Sequence, residues 1–228
     1  MRAALIVALD LSREAARSPA LWVLAPFLSL YLPFQHGVVD GLATVSFVSV
    51  RLSLSASAVM PSIAMLALFM EVILPRKLAG AMEPLLASPL PDRDLLIGHA
   101  LPVLGLQLAA VAAGIPVAMI GYRLADGCWP PEALSDALFM GLAGPAVGLL
   151  LLGASARALL AARSALSFSL RTLPVAAALV PLDVLLMGMR WAGYRRACLG
   201  IPLFLMAAGV AWLAWAMRRL DREMLLMR

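Results

Sequence analysis

Apolar and polar positions fall along this chain in long blocks rather than short periods. Residues 2–17 mix the two, with Leu5, Leu9 and Leu11 interleaved with Arg2, Asp10, Arg13, Glu14 and Arg17 before Ser18-Pro19 ends the pattern. Such a stretch predicts an amphipathic helix that can lie in a membrane interface, apolar side in the lipid boundary and charges in water. Beyond it, apolar runs of about 20 residues recur, each long enough to cross a hydrocarbon core about 30 Å thick. The pattern predicts spans at about 20–35, 54–74, 95–121, 133–156, 172–189 and 197–217. Residues 36–53, with Asp40 and Arg51, read as a connection that becomes partly helical before the second span. Prolines 26, 33, 61, 102 and 116 fall inside predicted spans, where neighbouring helices can re-satisfy the carbonyls they free. No run alternates at period two, so a transmembrane β-barrel is excluded.

The expected fold is therefore all-α: a polytopic membrane protein of six transmembrane helices, forming one domain over residues 1–228. An interfacial helix occupies about 2–18, and a polar segment at about 75–94 separates spans two and three. Composition agrees. The chain is 63% hydrophobic and 14% charged, against about 45–50% apolar and about 25% charged in soluble domains. No soluble domain fits beside the spans, and Asp10, Arg13 and Glu14 interrupt the first apolar run too early for a cleaved signal peptide.

The net charge of +5 is a topology signal here, not a nucleic-acid footprint. Thirteen of the 18 basic residues fall at the N-terminus, in 75–94, in the Arg157–Arg171 connection and in the C-terminal tail. All four regions share one side in a six-span layout, so both termini and the polar segment are expected in the cytoplasm of a plasma-membrane protein. Arg190, Arg195 and Arg196 run against that count, and Asp183 to Cys198 could form a short re-entrant helix with snorkelling cations.

Candidate chemistry is sparse. Cys128 and Cys198 have no metal-ligand spacing and His36 and His99 lie far apart, so neither a catalytic nor a metal centre is expected. Both cysteines fall on the outer side, where paired and free thiols are both open. Gln107, near mid-span, is expected to hydrogen-bond a neighbouring helix, a substrate contact being the other reading. Gly141, Gly144, Gly148 and Gly153 would let the fourth span pack closely. Asp183, the ionisable group inside the fifth span, would pair with Arg190 or Arg51, and Glu71 lies about a turn inside the cytoplasmic boundary.

The polar segment is the informative stretch. Its run Gly80-Ala81-Met82-Glu83-Pro84-Leu85-Leu86-Ala87-Ser88-Pro89, followed by Arg93, Leu96 and Gly98, resembles the cytoplasmic segment of ABC transporter type-2 permeases. In that family it typically reads G-T-L-E-x-L-L-x-[ST]-P, then an arginine, a leucine and a G-K pair. Two departures stand out: Arg76 and Lys77 precede the glycine where the family has acids, and His99 stands where it has lysine. The diagnostic part covers about 20 residues, although the six-span layout is similar throughout.

The resemblance implies a transmembrane subunit that exports a substrate using ATP hydrolysed elsewhere. The cofactors, ATP and Mg, would sit on a separate cytoplasmic ABC ATPase, in keeping with the lack of a G-x-x-x-x-G-K-[ST] phosphate loop in these 228 residues. It also implies a second permease half, a homodimer being the simplest case, surrounded by membrane lipid. Residues expected to couple to the ATPase are Arg76, Lys77, Gly80, Glu83, Leu85, Leu86, Ser88, Pro89 and Arg93. A weaker expectation places Met60, Met65, Phe69, Gln107, Met187 and Met189 along a substrate path, where methionine would suit a hydrophobic or amphipathic cargo; core packing explains the same methionines. A haem-maturation-type export permease and a non-transporting membrane assembly subunit remain alternatives. An intramembrane enzyme would need converging His, Asp or Glu residues, and no such cluster is visible.

Overall fold

Proline and glycine set most of the boundaries. The computed structural model describes residues 2–42, 49–80, 87, 90–129, 133–162, 164, 166–175, 177–178 and 195–218. All the regular elements among them are helical: α1 (Arg2–Arg17), α2 (Pro19–Pro26), α3 (Leu32–Leu42), α4 (Ser49–Leu78), α5 (Asp92–Asp126), α6 (Ala133–Ala161), α7 (166–175) and α8 (Arg195–Arg218). Ser18 is extended between α1 and α2, and Pro19 opens α2. Proline suits that first turn, where its missing N–H would have no partner anyway.

The first span differs from expectation. A π-helical turn, Phe27–Tyr31, joins α2 to α3, so the rod runs unbroken from Pro19 to Leu42. Pro26 and Pro33 flank that turn, and each removes a donor and crowds the carbonyl four residues back. The wider turn accommodates both, with the Leu32 N–H reaching the Phe27 carbonyl five residues back. Ser29 Oγ adds a bond to the Ala25 carbonyl at 2.6 Å. The connection expected at 36–53 is therefore mostly helix: α3 carries His36 and Asp40, and α4 begins at Ser49.

Five helices are long and apolar enough to cross a membrane among the described residues: Pro19–Leu42, Val59–Leu78, Arg93–Asp126, Ala137–Leu159 and Gly200–Arg218. The expected fifth span, 172–189, and its Asp183 lie largely outside the described residues. Other ends shift as well. α4 passes through Pro75 to Leu78, α5 continues to Asp126, and α6 carries Arg157 on the helix rather than in a connection.

α4 packs between α5 and α6, α3 lies along α5, and α8 lies along α6. The shared core takes Val59, Leu66, Met70 and Ile73 from α4, Leu95 and Val103 from α5, and Phe139, Val147 and Leu151 from α6. Helix α1 joins it through Val7, Leu11 and Ala15. Without a hydrophobic drive between helices in lipid, close backbone approach through small residues supplies the contact. The α3–α5 crossing is the tightest case: a Cβ on Gly37 would strike the Ala118 carbonyl, and one on Gly121 would strike that of Phe34. The spacing Gly37-x-x-x-Gly41, not singled out above, is the signal in the sequence that could have announced this crossing.

Candidate functional site

Polar groups with long-range partners gather at one end of the bundle, where α4 ends, α5 begins, and α1 and the end of α6 pack beside them. The segment resembling a coupling element grows out of this joint. Gly80 terminates the α4 side with a left-handed φ of 73°. The Ala79 N–H bonds the Pro75 carbonyl at 2.8 Å and the Gly80 N–H bonds that of Lys77 at 3.1 Å. A non-glycine residue at that φ would carry a steric cost, which explains the stop. On the other side Pro91 is extended and the Asp94 N–H bonds its carbonyl at 2.9 Å, opening α5. The buried Asp94 carboxyl then sits in the first turn of α5, where the helix dipole favours an anion.

Arg76 and Lys77 leave α4 in different directions. Arg76 meets both acids of α1: Nη2 lies 2.9 Å from Asp10 Oδ2, and Nε contacts Glu14 Oε2. Lys77, the chain's single lysine, is buried and donates from Nζ to the Leu159 and Ala162 carbonyls at 2.6 and 3.0 Å. Those carbonyls belong to the end of α6, where the helix leaves acceptors unsatisfied and the dipole favours a cation. A compact ammonium with three donors suits two converging carbonyls. Two adjacent residues thus tie the base of α4 to α1 on one side and to α6 on the other.

The start of α5 is tied to α1 by steric fit. A Cβ on Gly98 would meet the Ala4 carbonyl at 2.9 Å and Val7 Cβ at 2.7 Å. His99 follows, donating from Nδ1 to the Leu95 carbonyl at 2.7 Å. A carbonyl only accepts, so Nδ1 carries the proton. His99 Nε2 is enclosed without a hydrogen-bond partner among the described residues.

Of the nine expected coupling residues, the joint holds Arg76, Lys77 and Gly80, while Arg93 is exposed beside it. Of the basic front edge expected at the partner surface, Lys77 is buried against the end of α6, while Arg76 pairs with the exposed acids of α1. Glu83, Leu85, Leu86, Ser88 and Pro89 lie outside the described residues. Along the expected substrate path, Met60 is exposed and Met65 is packed in the interior. Met187 and Met189 lie outside the described residues, as does the side chain of Phe69. Gln107 is buried and donates from Nε2 to the Gly144 carbonyl of α6 at 3.0 Å, the interhelical bond expected of it. Gly148 makes room for that amide, because a Cβ there would land on it. The α1 contacts of Arg76 and Gly98 had no local sequence signal.

Compared with protein-family models, with curated proteins and with solved structures, the chain matches none.

Proposed function

We propose that this chain is the membrane-spanning permease subunit of an ATP-driven ABC exporter, working with a separate cytoplasmic ATPase. In this reading it has six spans, α1 lies in the interface, and both termini and the Gly80–Pro89 coupling element face the cytoplasm of the plasma membrane. Two permease halves enclose the path, and a hydrophobic or amphipathic substrate moves outward.

One observation carries the reading: the ordered motif from Gly80 to Gly98 grows from a joint that ties its flanking helices to α1 and α6. A push on the segment would reach α4 through a base held by an ion-paired arginine and a buried lysine. The core contacts of α4 with α5 and α6 would then carry it into the bundle. Coupling of this kind needs a rigid base, because a loosely held loop would absorb the displacement.

The test is affinity purification from native membranes, followed by ATP turnover of the reconstituted assembly. A P-loop ATPase should co-purify, and Glu83→Lys or Leu85→Asp should abolish its association or its stimulated turnover. Intact association and unchanged turnover in both variants would overturn the proposal. Intact association with an ATPase whose turnover never responds to the permease would instead indicate an assembly subunit.

A further inference from the structure

Helix α1 has a second face that the joint does not use. Its buried face consists of Ala4, Val7, Ala8, Leu11 and Ala15, packed against the bundle. The opposite face exposes Leu5, Ile6 and Leu9, at 56%, 68% and 50%, together with the exposed Arg13 and Arg17. At 100° per residue these five positions fall within one outward arc. The acids of the helix, Asp10 and Glu14, lie on the flank toward α4, where Arg76 engages both. Within that arc Leu5, Ile6 and Leu9 are apolar and the described charges are Arg13 and Arg17, with Asp10 at its edge.

The chain also fixes where that face must be. Arg17 is followed after a single residue by Pro19, the first residue of a helix long enough to span a membrane. Exposed Trp22 stands one turn into that helix and donates from Nε1 back to the Ala16 carbonyl at 2.5 Å, clamping the corner. Tryptophan is enriched at this depth of a bilayer. Arg13 and Arg17 are consequently held near the headgroup layer.

We propose that the outer face of α1 binds the anionic phospholipid surface of the membrane. Leu5, Ile6 and Leu9 enter the headgroup–acyl boundary, while Arg13 and Arg17 pair with lipid phosphates. Apolar contact alone would be indifferent to lipid charge; Arg13 and Arg17, which have no acid partner among the described residues, make the attachment charge-selective. Arg76 pairs with both Asp10 and Glu14 at the edge of the arc, which offsets the repulsion they would exert on an anionic surface. The proposal rests on the interfacial placement of α1 in that reading, and its failure would leave the pairing with an ATPase untouched.

The experiment uses the full-length chain with Cys128→Ser, Cys198→Ser and Leu9→Cys as the reporter. The protein is reconstituted in nanodiscs of phosphatidylcholine alone, or of phosphatidylcholine and phosphatidylglycerol in equal parts. Labelling by a membrane-impermeant maleimide should be roughly tenfold slower in the anionic discs. Arg13→Gln with Arg17→Gln should abolish the difference, and so should high salt, which screens exposed charges. Equal rates in the two lipids would overturn the proposal, as would a difference that survives both the double substitution and high salt. Protection in native membranes but in neither disc would also overturn it, and would assign the face to an acidic protein partner.

Discussion

Helix α5 runs roughly 50 Å from Asp92 to Asp126, and its two ends are built differently. At the Asp92 end the contacts join residues far apart in sequence: Arg76 with Asp10 and Glu14, Lys77 with Leu159 and Ala162, and Gly98 with Ala4 and Val7. At the Asp126 end the long-range contact is backbone packing, with Gly37, Gly41 and Gly121 seating α3 against α5, while the polar contacts that close the helix are local and exposed. The Gly127 N–H bonds the Arg123 carbonyl at 2.9 Å, Arg123 lies over the Trp129 ring at 4.8 Å, and Cys128 Sγ is 2.8 Å from Asp126 Oδ2. There one helix, α3, is held along α5 by close backbone approach, and the turn itself adds only local contacts. Contacts drawn from four separate helices hold the elements in a fixed relation, so that moving one moves the others. The difference is that the Asp92 end joins several helices through polar side chains, whereas the Asp126 end joins two through backbone packing.

The comparison breaks most readily at Gly98. Gly98→Leu should force α1 off α5, costing about 3 kcal/mol by overpacking, with lowered Tm and lost hydrogen-exchange protection across residues 2–17. Protection unchanged there would mean that α1 is not seated by this contact. Lys77→Met keeps the apolar stem but leaves two buried carbonyls without their donor. About 2 kcal/mol should be lost, read as a lower Tm in detergent, and Lys77→Arg should restore little of it because a planar fork does not match the site.

A smaller effect is expected from Arg76→Gln, about 1 kcal/mol, since both acids are substantially exposed and screened. Its Tm difference from the parent chain should shrink at high salt, whereas that of Lys77→Met should not. The smallest effect belongs to the far end. There Cys128 donates to Asp126, and that hydrogen bond, with the carboxylate charge, raises the thiol above its ordinary pKa. Less thiolate is then present at a given pH below that value, so alkylation of Cys128 is slow. Asp126→Asn should speed alkylation at mildly alkaline pH, shift the rate–pH curve downward in pH, and leave Tm unchanged. A Tm shift would show that this end carries more structure than its local contacts suggest.

The sequence made some of this visible and hid the rest for physical reasons. α1 and its break at Ser18-Pro19 were legible because proline chemistry is local. Gln107 was legible too, since a polar side chain at mid-span has few options besides a neighbouring helix. The first apolar run, about 20–35, is short enough to imply continuation past His36, but Pro33, His36 and Asp40 hide where it ends; the π turn and the close α3–α5 packing carry the helix to Leu42. Arg76 and Lys77 read as an outward basic edge, yet their partners lie 66 and 82 residues away for Asp10 and Leu159. No local pattern announces an ion pair across that distance. Similarly, Met65 and Met60 share a composition-level reading but separate into buried and exposed positions once α4 is packed.

The central claim is that the Gly80–Pro89 element meets a cytoplasmic ATPase while the opposite end of α5 does not. Photocrosslinking in native membranes tests it most directly, with the photoreactive residue placed either at Leu85 or at Leu124, which is 70% exposed near the Asp126 end. The account predicts a covalent adduct containing a P-loop ATPase from position 85 and none from position 124. No ATPase adduct from 85, or equal yields from both positions, would contradict it.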